Sequence, residues 1–167
     1  LANDITNTSG CISVSADMVD LNCGYFNITY STTGAGYGIA AVGRSNVNIS
    51  NCNITNGGSF SSPSDGIFFS ATNHSKIENG TLTVFSPSGN NGIQITGSRN
   101  DTIINASISV SSGATGVVVL GSNHTIDRLT SIGISGSSAA FSVVGENYTI
   151  LNSTGQSASP FGGVIIR

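Results

Sequence analysis

The chain contains no tryptophan, one methionine, three prolines and only five basic residues against eight acidic ones. Charged residues are 8% of the total, and no stripe of Lys and Arg is present, which argues against nucleic acid, since phosphate neutralisation needs clustered cations. No apolar run approaches the ~20 residues of a membrane helix, so no membrane span is expected. The first residue is Leu1 and no signal segment precedes it, so a processed chain or a piece of a longer one is expected. Helical periodicity and a leucine consensus are missing as well, which removes helical and leucine-rich repeats.

What remains is unusual. Gly, Ser, Thr and Asn make up 84 of the 167 residues. Such a composition suits disorder, but 38% of the residues are hydrophobic, and Ile and Val recur with a regular period. The apolar anchors Ile12, Ile39, Ile67, Ile93, Val117, Phe141 and Val164 are 27, 28, 26, 24, 24 and 23 residues apart. Nine or ten residues after each of the first six stands a second anchor: Leu21, Ile49, Ile77, Ile103, Ile126 and Ile150. A weaker third follows at Ile28, Ile54, Leu82 and Ile108, then fades.

Three short strands per repeat cannot bury their inner faces alone. Stacked on the equivalent strands of the next repeat, they pair their backbones and align Ile and Val columns inside. The pattern therefore predicts an all-β, right-handed parallel β-helix of about six coils of 23–28 residues, filling 1–167 as a single domain. At the spacing of parallel strands six coils make a rod of roughly 30 Å. Two residues past the second anchor stand Asn51, Asn79, Asn105 and Asn152, a column expected to be buried and to bond side chain to side chain.

The run from Asp4-Ile5-Thr6 through Cys11-Ile12-Ser13-Val14 to Leu21-Asn22-Cys23-Gly24 resembles the opening of archaeal secreted β-helix repeat proteins. Ser45-Asn46-Val47-Asn48-Ile49-Ser50-Asn51-Cys52-Asn53-Ile54-Thr55 looks like their repeat unit, in the pectate-lyase-like or NosD-like group. The resemblance spans nearly the whole chain and implies the fold. It leaves function open, because that group holds lyases, hydrolases, epimerases and non-catalytic surface proteins.

Three cysteines are an odd set. Cys23 and Cys52 fall at adjacent positions of neighbouring coils and are the preferred disulfide, leaving Cys11 free or paired elsewhere. Asn-x-Ser/Thr occurs eleven times, about twice what composition alone gives. Asn73, Asn100, Asn123 and Asn147, in the first turn, and Asn27 and Asn7 are the candidates for glycosylation. A repeat with Asn and Thr columns also produces such triplets without sugar.

The longest insertions lie between the third strand and the next coil, where Tyr30, Tyr37, Phe60 and Phe85 offer an edge for a glycan or a partner. The alternative is that these rings pin the loops to the coil. Catalytic residues are not evident. Glu78 and Asp127 match in position but lie two coils apart, roughly 10 Å, too far for a retaining pair. His74 and His124 match likewise with no further ligand near, so neither metal nor cofactor is expected.

The sequence begins within a coil at Ile5 and stops on a strand at Val164 and Ile166, so the expectation is either that the native chain continues or that these residues mediate end-to-end self-association. The expectation is an extracellular or cell-surface structural module, filament-forming or adhesive and non-catalytic, with surface polysaccharide as a possible partner. The alternative is a carbohydrate-active enzyme or glycan-binding β-helix.

Overall fold

The computed structural model describes residues 1–58, 64–85, 89–111, 113–134, 140–158 and 163–166. Among these described residues twenty strands form three parallel sheets, and no helix is present.

The first sheet stacks β2 (Ile12–Val14), β5 (Ile39–Val42), β8 (Ile67–Ser70), β11 (Asn91–Arg99), β14 (Thr115–Ser122), β17 (Phe141–Glu146) and β20 (Val164–Ile166). The second stacks β3 (Asp20–Asn22), β6 (Asn48–Ser50), β9 (Lys76–Glu78), β12 (Thr102–Ile104), β15 (Thr125–Asp127) and β18 (Thr149–Leu151). The third stacks β1 (Ile5–Thr6), β4 (Asn27–Tyr30), β7 (Asn53–Asn56), β10 (Thr81–Phe85), β13 (Ser107–Ser111), β16 (Thr130–Gly133) and β19 (Thr154–Ser157). Each strand pairs with its counterpart one coil away, so the rest of the coil is the crossover that parallel pairing demands. The result is a β-solenoid of about six coils, as the anchor spacing predicts.

The register places the anchors in columns. Ile12, Ile39, Ile67, Ile93, Val117, Phe141 and Val164 are successive partners in the first sheet. Leu21, Ile49, Ile77, Ile103, Ile126 and Ile150 are partners in the second. In the third sheet Ile5, Ile28, Ile54, Leu82 and Ile108 are followed by Ser131 and Gly155, so the strand persists where the apolar signal fades. Ile132 and Ile134 then stay 37% and 55% exposed, because pairing Ile108 with Ser131 leaves the apolar residues of this strand on the outer face.

Tight corners separate the sheets. Among the described residues fourteen non-glycine residues have φ between 47° and 63°, and eight of them are Asn, the side chain that best tolerates the left-handed region. Asn46, His74, Asn100, Asn123 and Asn147 turn the chain from the first sheet into the second. Asn51, Asn79, Asn105, Arg128 and Asn152 turn it into the third.

Candidate functional surfaces

The corner between the second and third sheets carries the predicted asparagine ladder. Asn51 donates to Asn22 at 3.1 Å, Asn79 to Asn51 at 3.2 Å, Asn105 to Asn79 at 2.8 Å, and Asn152 to Asp127 at 3.1 Å. It is not buried as expected: Asn105 and Asn152 are exposed, and Asn79 is half-buried. A residue in the left-handed turn of a sharp bend projects its side chain outward, and the following small residue, such as Gly80 or Ala106, takes the inward place.

That geometry also accounts for six of the eleven Asn-x-Ser/Thr triplets, those that start at Asn79, Asn100, Asn105, Asn123, Asn147 and Asn152. At both corners a left-handed Asn precedes an inward residue, and the third position opens a strand with an outward hydroxyl, as in Asn100-Asp101-Thr102 and Asn105-Ala106-Ser107. Most of the glycosylation candidates are already engaged through Nδ2. Asn7 donates to the Gly10 carbonyl, Asn27 to Asp4, Asn100 to Asn73 and Asn147 to Asn123. Asn73 and Asn123 participate as acceptors through Oδ1, and Asn123 is exposed.

The first corner hides a network that no motif announces. Val47, Ser75, Asp101, His124 and Tyr148 each precede a second anchor by two residues. Backbone N–H groups there are capped from the next coil: Val47 donates to Ser75 Oγ at 3.1 Å, Ser75 to Asp101 Oδ1 at 2.8 Å, and Asp101 to His124 Nδ1 at 3.2 Å. Thr72 adds a 2.8 Å bond to Asp101 Oδ2. Burial pushes the Asp101 carboxyl up, opposed by the donors from Ser75 and Thr72. Burial likewise pushes the His124 imidazole down, against the Asp101 charge.

The histidines therefore do not match in position. His74 shares the left-handed column with Asn100, whereas His124 stacks over Asp101, one residue further along. The spacing to the anchor carries the signal, three residues from His74 to Ile77 but two from His124 to Ile126.

A second buried cluster lies where the third sheet leads into the first. Asp65 Oδ1 accepts from the Asn91 backbone at 2.7 Å and its side chain at 3.0 Å, while buried Oδ2 has no hydrogen-bond partner among the described residues. Burial pushes its pKa up to about 6. Tyr30 is wholly buried beside it and donates to the Ser64 carbonyl at 2.9 Å, so it is not part of an accessible edge. Tyr37 stacks on Phe68 with ring centroids 4.4 Å apart, and Phe85 is 48% exposed. Phe60 lies outside the described residues.

Seven of the eight carboxylates accept hydrogen bonds or ion pairs, and six of these reach an adjacent coil. Asp4 accepts from Asn27, Asp17 from the Ser45 backbone, Asp20 from Asn48, Asp65 from Asn91, Asp101 from Ser75 and Asp127 from Asn152. Glu78 pairs with Lys76 at 2.8 Å within its own strand. Glu78 and Asp127 are two strands apart in one outward column with Ile104 between them.

Cys23 and Cys52 form a disulfide between the first two full coils, both fully buried, and Cys11 is a half-buried free thiol. A buried disulfide is a bond that persists in an oxidising environment. Among the described residues no helix is long and apolar enough to cross a membrane, and no group of three potential ligands gathers to hold a metal. No family model, curated protein or solved structure matches this chain.

Proposed function

We propose that the chain is a non-catalytic structural module of an extracellular or cell-surface assembly, built to extend along its axis and to adhere. The observation that carries this reading is the use of the carboxylates. β-Helix hydrolases need acids converging on one groove, whereas here acid after acid ties one coil to the next. The disulfide, the low charge and the resemblance of the opening run to secreted β-helix proteins support the compartment.

Axial assembly is proposed through the outermost members of the inner columns. Val164 and Ile166 continue the columns of Phe141 and Val143 yet are 46% and 62% exposed, and Ile5 at the other extreme is half-buried. Sugar is best seated on Asn123, whose amide nitrogen is not engaged by the ladder.

Cryo-electron microscopy of native material tests this. Continuous stacked coils through the Val164–Ile166 strand, with glycan density at Asn123, are the expected result. Isolated bare molecules that cleave a polysaccharide would overturn it in favour of a carbohydrate-active enzyme.

A further inference from the structure

The corner between the second and third sheets is not uniform along the rod. Seven residues separate Leu21 from Ile28, against five from Ile77 to Leu82 and from Ile103 to Ile108. The additional residues in this first turn let Gly24 and Tyr25 both adopt left-handed backbone, with φ of 60° and 63°, and Tyr25 stands 62% exposed. Beyond this ring the short corners leave a groove of about 320 Å³. One wall is the ladder of Asn79 and Asn105 ending at Arg128, and the other is the outward column Thr81, Ser107 and Thr130.

The hydrogen-bonding capacity of these walls is largely unused. None of the three hydroxyls is bonded to another described side chain, and all three residues are exposed. Each ladder amide has two donors and two lone pairs, of which the ladder takes one each from Asn79. Where Arg128 interrupts the asparagines, Asn105 Oδ1 accepts from no described residue. Arg128 is itself neutralised by Asp127 at 2.6 Å.

We propose that this groove binds an uncharged, extended polysaccharide lying along the solenoid axis. The proposal rests on the adhesive part of the reading above and names its partner. Donors and acceptors repeat on both walls at the coil spacing of ~4.8 Å, which is about the advance of one sugar unit in an extended chain. Tyr25 offers a ring face at one end, the usual companion of a sugar ring. Other occupants fit poorly. The lining residues include a single cation, already paired, which is too little for nucleic acid, and no carboxylate to hold a metal. Strands bordering the groove are paired on both sides, so a peptide has no sheet edge to join.

Isothermal titration calorimetry on monodisperse protein decides it, using cellohexaose, xylohexaose, chitohexaose and polygalacturonate as probes. Saturable binding of at least one uncharged hexasaccharide is expected. Thr81→Val/Ser107→Ala/Thr130→Val, which alters only outward hydroxyls, should weaken it about tenfold or more, from three lost hydrogen bonds. Tyr25→Asn keeps a side chain suited to the left-handed backbone and should weaken it independently. The proposal falls if no uncharged probe binds, if only the polyuronate binds, or if the triple variant, folded by circular dichroism, binds like the parent. Because the protein is monodisperse, a failure of axial assembly leaves this test intact, and a failure here leaves assembly standing.

Discussion

The two ends of the solenoid solve the same packing problem differently. In the N-terminal coils all three sheets supply apolar side chains to the interior, with Ile28, Ile54 and Leu82 facing inward from the third sheet, and a disulfide closes the corner between the second and third sheets. In the C-terminal coils the third sheet supplies Ser131 and Gly155. Ser131 turns its hydroxyl to the Ala140 carbonyl at 2.9 Å, and Phe141 brings a larger side chain from the opposite sheet. The interior narrows from three apolar walls to two. Backbone pairing continues regardless of the apolar signal.

Removing the disulfide should have the largest effect. Opening a 29-residue connection, as in Cys23→Ala/Cys52→Ala, should cost about 3 to 4 kcal/mol in denaturant unfolding. Amide exchange should rise first in coils near Cys23 and leave the C-terminal coils unchanged, because neighbours in a solenoid couple locally. Equal loosening of both ends would break the comparison.

Truncation of the third-sheet column sharpens it. Leu82→Ala, at a fully buried site, should cost about 3 kcal/mol by thermal or urea unfolding. Ser131→Ala, one position of the same column two coils later, loses a hydrogen bond and should cost only about 1 kcal/mol.

Two buried groups, Asp65 and His124, should answer acid in opposite directions. Asp65 has a folded pKa of about 6 against 3.8 unfolded, so its contribution is complete below pH 3.8 and is lost as pH rises to about 6. The loss amounts to about 2 to 3 kcal/mol, and Asp65→Asn should remove that slope from the pH dependence of unfolding. His124 has its folded pKa below 6.5, so its contribution is complete above pH 6.5 and is lost as pH falls through the folded value. His124→Gln should remove that opposite slope.

A modest effect belongs to the ladder. Asn105→Ala forfeits a ladder bond and places alanine in a left-handed corner, at a cost of about 1 to 2 kcal/mol in urea unfolding. Asn105→Gly keeps the backbone free and should recover part of it.

Much of this was legible in the anchors. Spacing gives three strands per coil, the members of the first two columns and Cys23–Cys52 as the preferred pairing, because strand pairing between coils brings matching positions close. Polar positions were harder. The ladder asparagines were expected inside because a recurring residue suggests an inner column, yet left-handed corners also recur and point outward. Asp101 and His124 carry no motif, although counting back two from Ile103 and Ile126 aligns them with Ser75. Tyr30 looked like a loop ring because its aromatic neighbours sit in insertions, whereas its alternation with Ile28 places it inside.

Hydrogen exchange of the Val164–Ile166 strand, measured on dispersed protein and on native assembled material, tests axial assembly most directly. The account predicts fast exchange when dispersed and strong protection when assembled, with the Ile5 strand changing in step. Equal exchange in both states would contradict it.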